Sequence, residues 1–257
     1  MYINTTGIVL RETAYKESSK ILTVLTSEEG KLTVMAKGAL RKNSKLAAAT
    51  QLLVFSEMTL FSSRDRWTMT EARSIEQFRG LQDDIAKLAL GSYFAELTEA
   101  VADEDNPNTE LLPLCLNALY ALSEGIKPSS YIKPAFELRL MKVSGFSPLV
   151  SHCSVCGQGE PKDARLDTVG GKLYCGCCLP SGCAPEVCVA LGAGALNAVR
   201  YVVGCDLKKL CSFSLGEASL REIASAAEAY LLAQLDRKFR TLEFYKQLGV
   251  RDLNAEL

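Results

Sequence analysis

Along the first eighty residues, apolar and β-branched side chains alternate with polar ones in short runs: Ile3 to Leu10, Ile21 to Thr26, Leu32 to Ala36, Leu52 to Phe61 and Trp67 to Ala72. A period of two marks a strand with one buried face. Turn chemistry such as Glu28-Glu29-Gly30 separates the runs. Five short strands in so little chain suit a small closed barrel, for which the five-stranded OB-fold is the leading expectation. A compact SH3-like barrel has a comparable strand count and is the alternative.

From Asp83 the period lengthens. Ile85, Leu88, Ala89, Tyr93, Leu97 and Val101 follow helical spacing behind two aspartates that suit a helix start. The polar stretch 102–108 ends this helix. A second, capped by Asn108 or Thr109, runs to about Ser123 before Gly125 and Pro128, and a third runs from Ser130 to about Ser144. Pro134 is expected in the first turn of that third helix, where proline is tolerated. Helical spacing returns at Leu191 to Val203 and Gly216 to Leu235, followed by an apolar-basic tail to Leu248. The pattern therefore predicts an α+β multidomain chain. Its divisions are an OB-fold barrel at 1–80, a helical domain at 81–150 and 183–257, and an inserted cysteine module at 151–182.

That module carries the sharpest chemical signal. Cys153 and Cys156, then Cys175 and Cys178 eighteen residues on, form two Cys-x2-Cys pairs. Each pair puts two thiolates on one turn, and the segment between closes a tetrahedron around one ion, the arrangement of a structural zinc site. Leu166 to Val169 and Lys172 to Tyr174 flank Gly170-Gly171, a hairpin signal that returns the second pair to the first. Four thiolates leave no open position for water, so the ion is expected to be structural rather than catalytic. Cys177, Cys183, Cys188 and the sole histidine, His152, are alternative ligands, whereas Cys115, Cys205 and Cys211 lie in apolar segments. A disulfide framework or a redox-active thiol pair would also use cysteines. The first suits a short secreted chain behind a leader, which this N-terminus does not resemble, and the second needs a βαβ context. A reducing cytoplasm is the expected compartment. No run approaches the apolar length of a membrane span.

A net charge of -1 over 257 residues hides an asymmetry. Residues 1–80 hold twelve Lys and Arg against eight Asp and Glu, and Gly30 to Ser56 has five basic residues and no acidic one. Lys37, Arg41, Lys42 and Lys45 fall within nine positions just after the third strand, with Gly38, Asn43 and Ser44 favouring an exposed loop. Such a loop can follow a phosphate backbone without reading sequence. Bases would need aromatic platforms, for which Tyr2, Tyr15, Phe55, Phe61 and, most readily exposed, Trp67 are candidates. A second basic cluster stands at Arg237, Lys238 and Arg240.

The combination of G-I-V-L-R-x-x-x-Y-x-E-x-S-K-I-L-T from Gly7 to Thr23, A-K-G-x-x-R-K-x-S-K-L from Ala36, G-F-S-P from Gly145 followed by the cysteine module, and a terminal L-D-R-K-F-R-T-L resembles the RecO family of bacterial recombination mediators. The resemblance runs over about residues 1–249. It implies an N-terminal OB-fold that binds single- and double-stranded DNA, with Lys37, Arg41, Lys42 and Lys45 at the matching positions, and zinc at Cys153, Cys156, Cys175 and Cys178. It further implies strand annealing and, with the partner RecR, loading of RecA onto strands coated by single-stranded-DNA-binding protein. Recognition of that protein's acidic tail calls for basic residues beside an apolar pocket. The helix SYIKPAFELRLMKVSG offers Lys133, Arg139 and Lys142 for it.

Two other classes compete. Among enzymes, an ATP motor of the Gly-x4-Gly-Lys-Ser/Thr type is not expected because that loop is absent, and zinc deaminase chemistry is not expected because His152 is followed by Cys153 and Ser154 rather than forming a His-x-Glu. A protein-interaction scaffold with a structural zinc module is the remaining alternative, and DNA binding discriminates it.

Overall fold

A computed structural model describes residues 1–64, 66–104, 107–180, 184 and 187–255, with the side chains of 250–255 excepted. The chain divides into two compact units, residues 1–124 with 239–257, and residues 125–238.

The first unit opens with β1 (Tyr2–Tyr15), β2 (Ser19–Thr26), β3 (Lys31–Ala36), β4 (Phe55–Ser63) and β5 (Arg66–Glu76), closed into a barrel in the order β1-β2-β3-β5-β4. A three-stranded meander, a parallel β3–β5 pairing and closure of β4 onto β1 make this the OB-type Greek-key barrel. Strand alternation turns Val9, Leu22, Val24, Leu32, Val34, Met58, Leu60 and Met69 inward to form its core. β1 pairs with both β2 and β4, and at Gly7, opposite Thr26 and Ser56, a Cβ would come within 2.7 Å of the Leu25 carbonyl oxygen. Only glycine fits where the closing strand crosses so tightly.

Behind the barrel come α1 (Ile85–Val101), α2 (Leu111–Ser123) and the C-terminal α6 (Arg240–Ala255). The Asp84 carboxylate caps α1 by accepting from the N–H groups of Ala86 and Lys87, as the aspartate pair predicted. Tyr93 on α1 meets Phe239 edge to face at 6.1 Å, and Glu96 accepts from the backbone N–H and hydroxyl of Thr241, which ties α6 to α1.

The second unit contains α3 (Ser129–Val143), α4 (Ala193–Gly204), α5 (Glu217–Leu235) and a three-stranded sheet of β6 (Ala164–Asp167), β7 (Leu173–Tyr174) and β8 (Cys188–Leu191), ordered β7-β6-β8. Pro134 is the sixth residue of α3, one turn later than expected. The predicted hairpin is present: Leu166 faces Leu173, and the Asp167 carboxylate accepts from the N–H groups of Val169 and Gly170 in the turn. Two arrangements differ from the sequence expectation. The helices do not form one domain around an insertion, because α1, α2 and α6 belong with the barrel while α3, α4 and α5 belong with the cysteine module. The module's sheet also extends past residue 182 to Leu191 through β8. Residues 181–183, including Cys183, lie outside those described. Among the described residues, no helix is long and apolar enough to cross a membrane.

Candidate nucleic-acid interface and metal centre

The basic loop leaves β3 at Lys37 and is built from successive turns rather than a helix. Ala39 and Leu46 are buried in the barrel core on either side of its charged middle. The Leu40 N–H donates to the Ser18 carbonyl at 3.0 Å and the Gly38 N–H to the Ser19 hydroxyl, which fastens the loop to the β1–β2 turn. Lys20 secures the far end by donating to the Thr50 carbonyl at 3.2 Å. At the start of this segment Lys37, and between its anchors Arg41, Lys42 and Lys45, are all exposed. Among the described residues none of the four is ion-paired, while Arg11, Lys20, Lys133, Arg200 and Arg221 each meet a carboxylate. Like charges held close on a fixed loop without counter-charges repel one another, and an incoming polyanion relieves that repulsion.

Of the aromatic candidates, Tyr2 stacks on Phe61 at 4.7 Å across β1 and β4, away from the loop's own strand. Trp67 is half-buried against the barrel core, opposite Val34 of β3. It is therefore a supporting residue of the barrel as well as a surface one.

The structure moves the third group of candidates indoors. Lys133 of α3 donates to Glu228 of α5 and pairs with Glu137 one turn on, at 2.9 and 2.7 Å, and the Glu137 side chain is 0% exposed. Burial pulls the Lys133 pKa down, but the Glu137 and Glu228 charges outweigh it, and the net shift is upward. Arg139, 2% exposed, donates to the carbonyl oxygens of Val203 and Cys205, and Lys142 donates to Val203 at 2.7 Å. These carbonyls end α4, so the two cations satisfy its last acceptors and its negative dipole end. The expectation of a basic surface on α3 is thus corrected for Lys133 and Arg139, which are internal, and only Lys142 keeps partial exposure.

The cysteine pairs do converge. The Sγ atoms of Cys153, Cys156, Cys175 and Cys178 lie within 4.8 Å of one another, a cluster able to hold one metal ion. Gly157, at a φ of 74°, closes the first turn as its N–H donates to the Cys153 carbonyl, and Cys178 N–H closes the second onto the Cys175 carbonyl. Ser154 N–H donates to the Leu173 carbonyl at 2.8 Å, which docks the first turn on the hairpin. Backbone N–H groups of Cys156 and Val155 pull the Cys153 thiol down to about 6, whereas Cys178 is pushed up by its hydrogen bonds to the sulfurs of Cys175 and Cys156.

Cys177 is exposed, with its Sγ 3.3 Å from that of Cys175, but it stands outside the four-sulfur set. His152 is exposed and bonded to Ser151, and Cys188 is disulfide-bonded and offers no thiolate. Burial pushes the Cys115 thiol up to about 12, in keeping with an inert core residue, while Cys205 and Cys211 are only half-buried.

A residue the sequence did not single out holds this module in place. Arg200 of α4 donates through Nε to the Val150 carbonyl at 2.7 Å, to the Ser151 and Gly159 carbonyls, and to the Glu160 carboxylate at 3.0 Å. One guanidinium thus gathers both ends of the first cysteine turn. No local pattern marks it, because its acceptors lie 40 to 50 residues earlier in the chain.

The molecule thus joins an OB-type barrel, whose basic loop meets no carboxylate among the described residues, to a helical unit carrying four clustered thiols that could hold a metal ion. Family models make the assignment specific: residues 1–78 match "Recombination protein O N terminal" and residues 82–243 match "Recombination protein O C terminal". The chain belongs to the RecO family of DNA repair proteins. It is 32% identical to the DNA repair protein RecO of Acetivibrio thermocellus, covering 96% of this chain and 97% of that one. The RecO proteins of Symbiobacterium thermophilum and Caldicellulosiruptor bescii are 32% and 31% identical, each over 95% of this chain and at least 97% of theirs.

Proposed function

We propose that this protein is a non-enzymatic recombination mediator. It binds single- and double-stranded DNA through the barrel, anneals complementary strands and, with RecR, helps load RecA onto strands coated by single-stranded-DNA-binding protein. The observation that carries this reading is the loop: four exposed cations that meet no carboxylate among the described residues, on an OB-type barrel, in a chain of a DNA repair family. Phosphates supply the missing counter-charge. Two strands held on one positive surface repel each other less, so they anneal faster without any bond chemistry. The acidic tail of the single-stranded-DNA-binding protein remains a proposed partner on the family's account, with its receptor elsewhere than the buried Lys133 and Arg139.

Zinc is the ion proposed for the four thiols. At a Zn–S length of about 2.3 Å a tetrahedron sets its sulfurs about 3.8 Å apart. Cys156 and Cys175 stand at 3.7 Å. When bound, the ion would cross-link the two turns, and with four thiolates it would bring no open coordination position.

Titrating an oligonucleotide at increasing salt tests the DNA reading. Each phosphate contact to a single strand contributes about 0.7 to the slope of log K against log salt, so replacing Lys37, Arg41, Lys42 and Lys45 by Ala should flatten it by up to about three units. An unchanged slope removes the loop from the interface. Failure of the wild type to shift DNA at all favours a scaffold that binds proteins only.

A further inference from the structure

Five thiols gather at the cysteine turns, and a tetrahedral ion uses four of them. The fifth, Cys177, is exposed, whereas Cys175 beside it is 2% exposed and Cys153 is 0% exposed. The Cys177 Sγ lies 3.3 Å from that of Cys175 and 4.0 Å from that of Cys178, yet it stands outside the set of four that converge. Cys177 therefore touches two ligand sulfurs without belonging to the site. A structural ion gains nothing from such a neighbour. An accessible thiol next to a second thiol is instead the arrangement in which an oxidant reaches the first and the second resolves it.

Local structure favours Cys175 as the resolving partner. Only Gly176 separates the two, at the start of the short 3-10 turn Gly176–Cys178. A Cβ at Gly176 would come within 2.9 Å of the Asp163 Cβ, and the Gly176 N–H donates to the Lys162 carbonyl at 3.0 Å. The turn is thus pressed onto the segment that leads into β6, and glycine is what lets it approach so closely. A disulfide bond is about 2 Å long, so closing Cys177 onto Cys175 takes about 1 Å of movement. Cys156 is exposed as well, but its sulfur is one of the four and stands farther from Cys175, at 3.7 Å.

We infer that Cys177 is an oxidation site for peroxides, and that its oxidation unlocks the metal centre. Release of the ion in this way rests on the zinc reading above. The Cys177 sulfur attacks one oxygen of hydrogen peroxide and the O–O bond breaks. A sulfenic acid forms on Cys177, and the hydroxide that leaves takes up the thiol proton as water. The Cys175 thiolate then attacks the Cys177 sulfur, the S–O bond breaks, and the departing hydroxide takes a proton from solvent to leave as a second water. The two sulfurs lose two electrons and the peroxide gains them. With Cys175 held in the disulfide, three thiolates remain for the ion, and the link between the two turns is lost.

The test takes the full chain loaded with zinc, its metal content measured before any oxidant is added. Hydrogen peroxide should release about one zinc ion per peroxide consumed, read with a chromophoric chelator, and peptide mapping should find a Cys175–Cys177 disulfide. Dithiothreitol should restore zinc uptake. Cys177→Ser should take up zinc as tightly as the wild type and retain it under the same peroxide. Zinc lost from Cys177→Ser at the wild-type rate, or a disulfide mapped to another pair, would overturn the assignment, because the ligands would then be oxidised directly. Weakened zinc binding by unoxidised Cys177→Ser makes Cys177 a ligand and overturns it too, as does zinc retained by the oxidised wild type. The disulfide map is made on the wild type and so does not depend on how the variant folds. A wild-type chain that takes up no zinc overturns the zinc reading and the unlocking together, and is recognised before peroxide is added.

Discussion

Lysine and arginine do opposite work in the barrel's loop and in α3. In the loop, Lys37, Arg41, Lys42 and Lys45 are exposed and have no ion-pair partner among the described residues, which leaves their charge open to something outside the molecule. In α3, Lys133 is neutralised by Glu137 and Glu228, and Arg139 and Lys142 are taken up by the end of α4. A basic cluster is an interface only where the fold withholds counter-charges. Sequence shows the cations in both places but not the carboxylates and carbonyls that meet them.

The contrast can be broken or sharpened by experiments ranked by their effect on stability. Removing metal from the zinc-loaded protein with a chelator, or Cys153→Ser, should have the largest effect, because the ion would cross-link the two turns and metal binding is coupled to folding. Hydrogen exchange should show 150–178 losing protection while the barrel keeps its own. Next, Lys133→Met takes the Lys133 charge from the buried Glu137 and should cost about 3–5 kcal/mol in urea unfolding, the range for a buried pair broken on one side. The same variant should leave the salt dependence of DNA binding unchanged. Arg200→Ala removes charge-assisted bonds that are 21% exposed to water, and should cost about 1–2 kcal/mol and weaken zinc about 10-fold in a competitive titration. Smallest of all, the fourfold loop variant should alter stability by no more than about 0.5 kcal/mol per site, and relief of repulsion can make it a gain. If loop and α3 variants behaved alike in both assays, the contrast would collapse.

The barrel was legible because its strands each carry their own period. The runs from Ile3, Ile21, Leu32 and Trp67 match β1, β2, β3 and β5 to within a few residues at most ends, and the turn before β4 took up Leu52 to Val54. The four-sulfur cluster was legible for a similar reason, since two short spacings and a hairpin are local facts. What escaped depends on distant chain. Lys133 meets Glu228 95 residues away, and α3 has apolar and charged residues on all sides, so no face announces itself as internal. β8 is four residues long and leads directly into helical spacing, which absorbed it.

The loop's construction from turns has a last consequence. Ala39 and Leu46 fix the loop to the barrel, but its charges at Lys37, Arg41, Lys42 and Lys45 follow no helical or strand repeat. A surface without a repeat has no preferred alignment with the regular spacing of a polynucleotide, so shifting a strand by one nucleotide changes the energy little. If the loop holds two strands as proposed, they would slip past each other in search of their matching register until base pairing stops them.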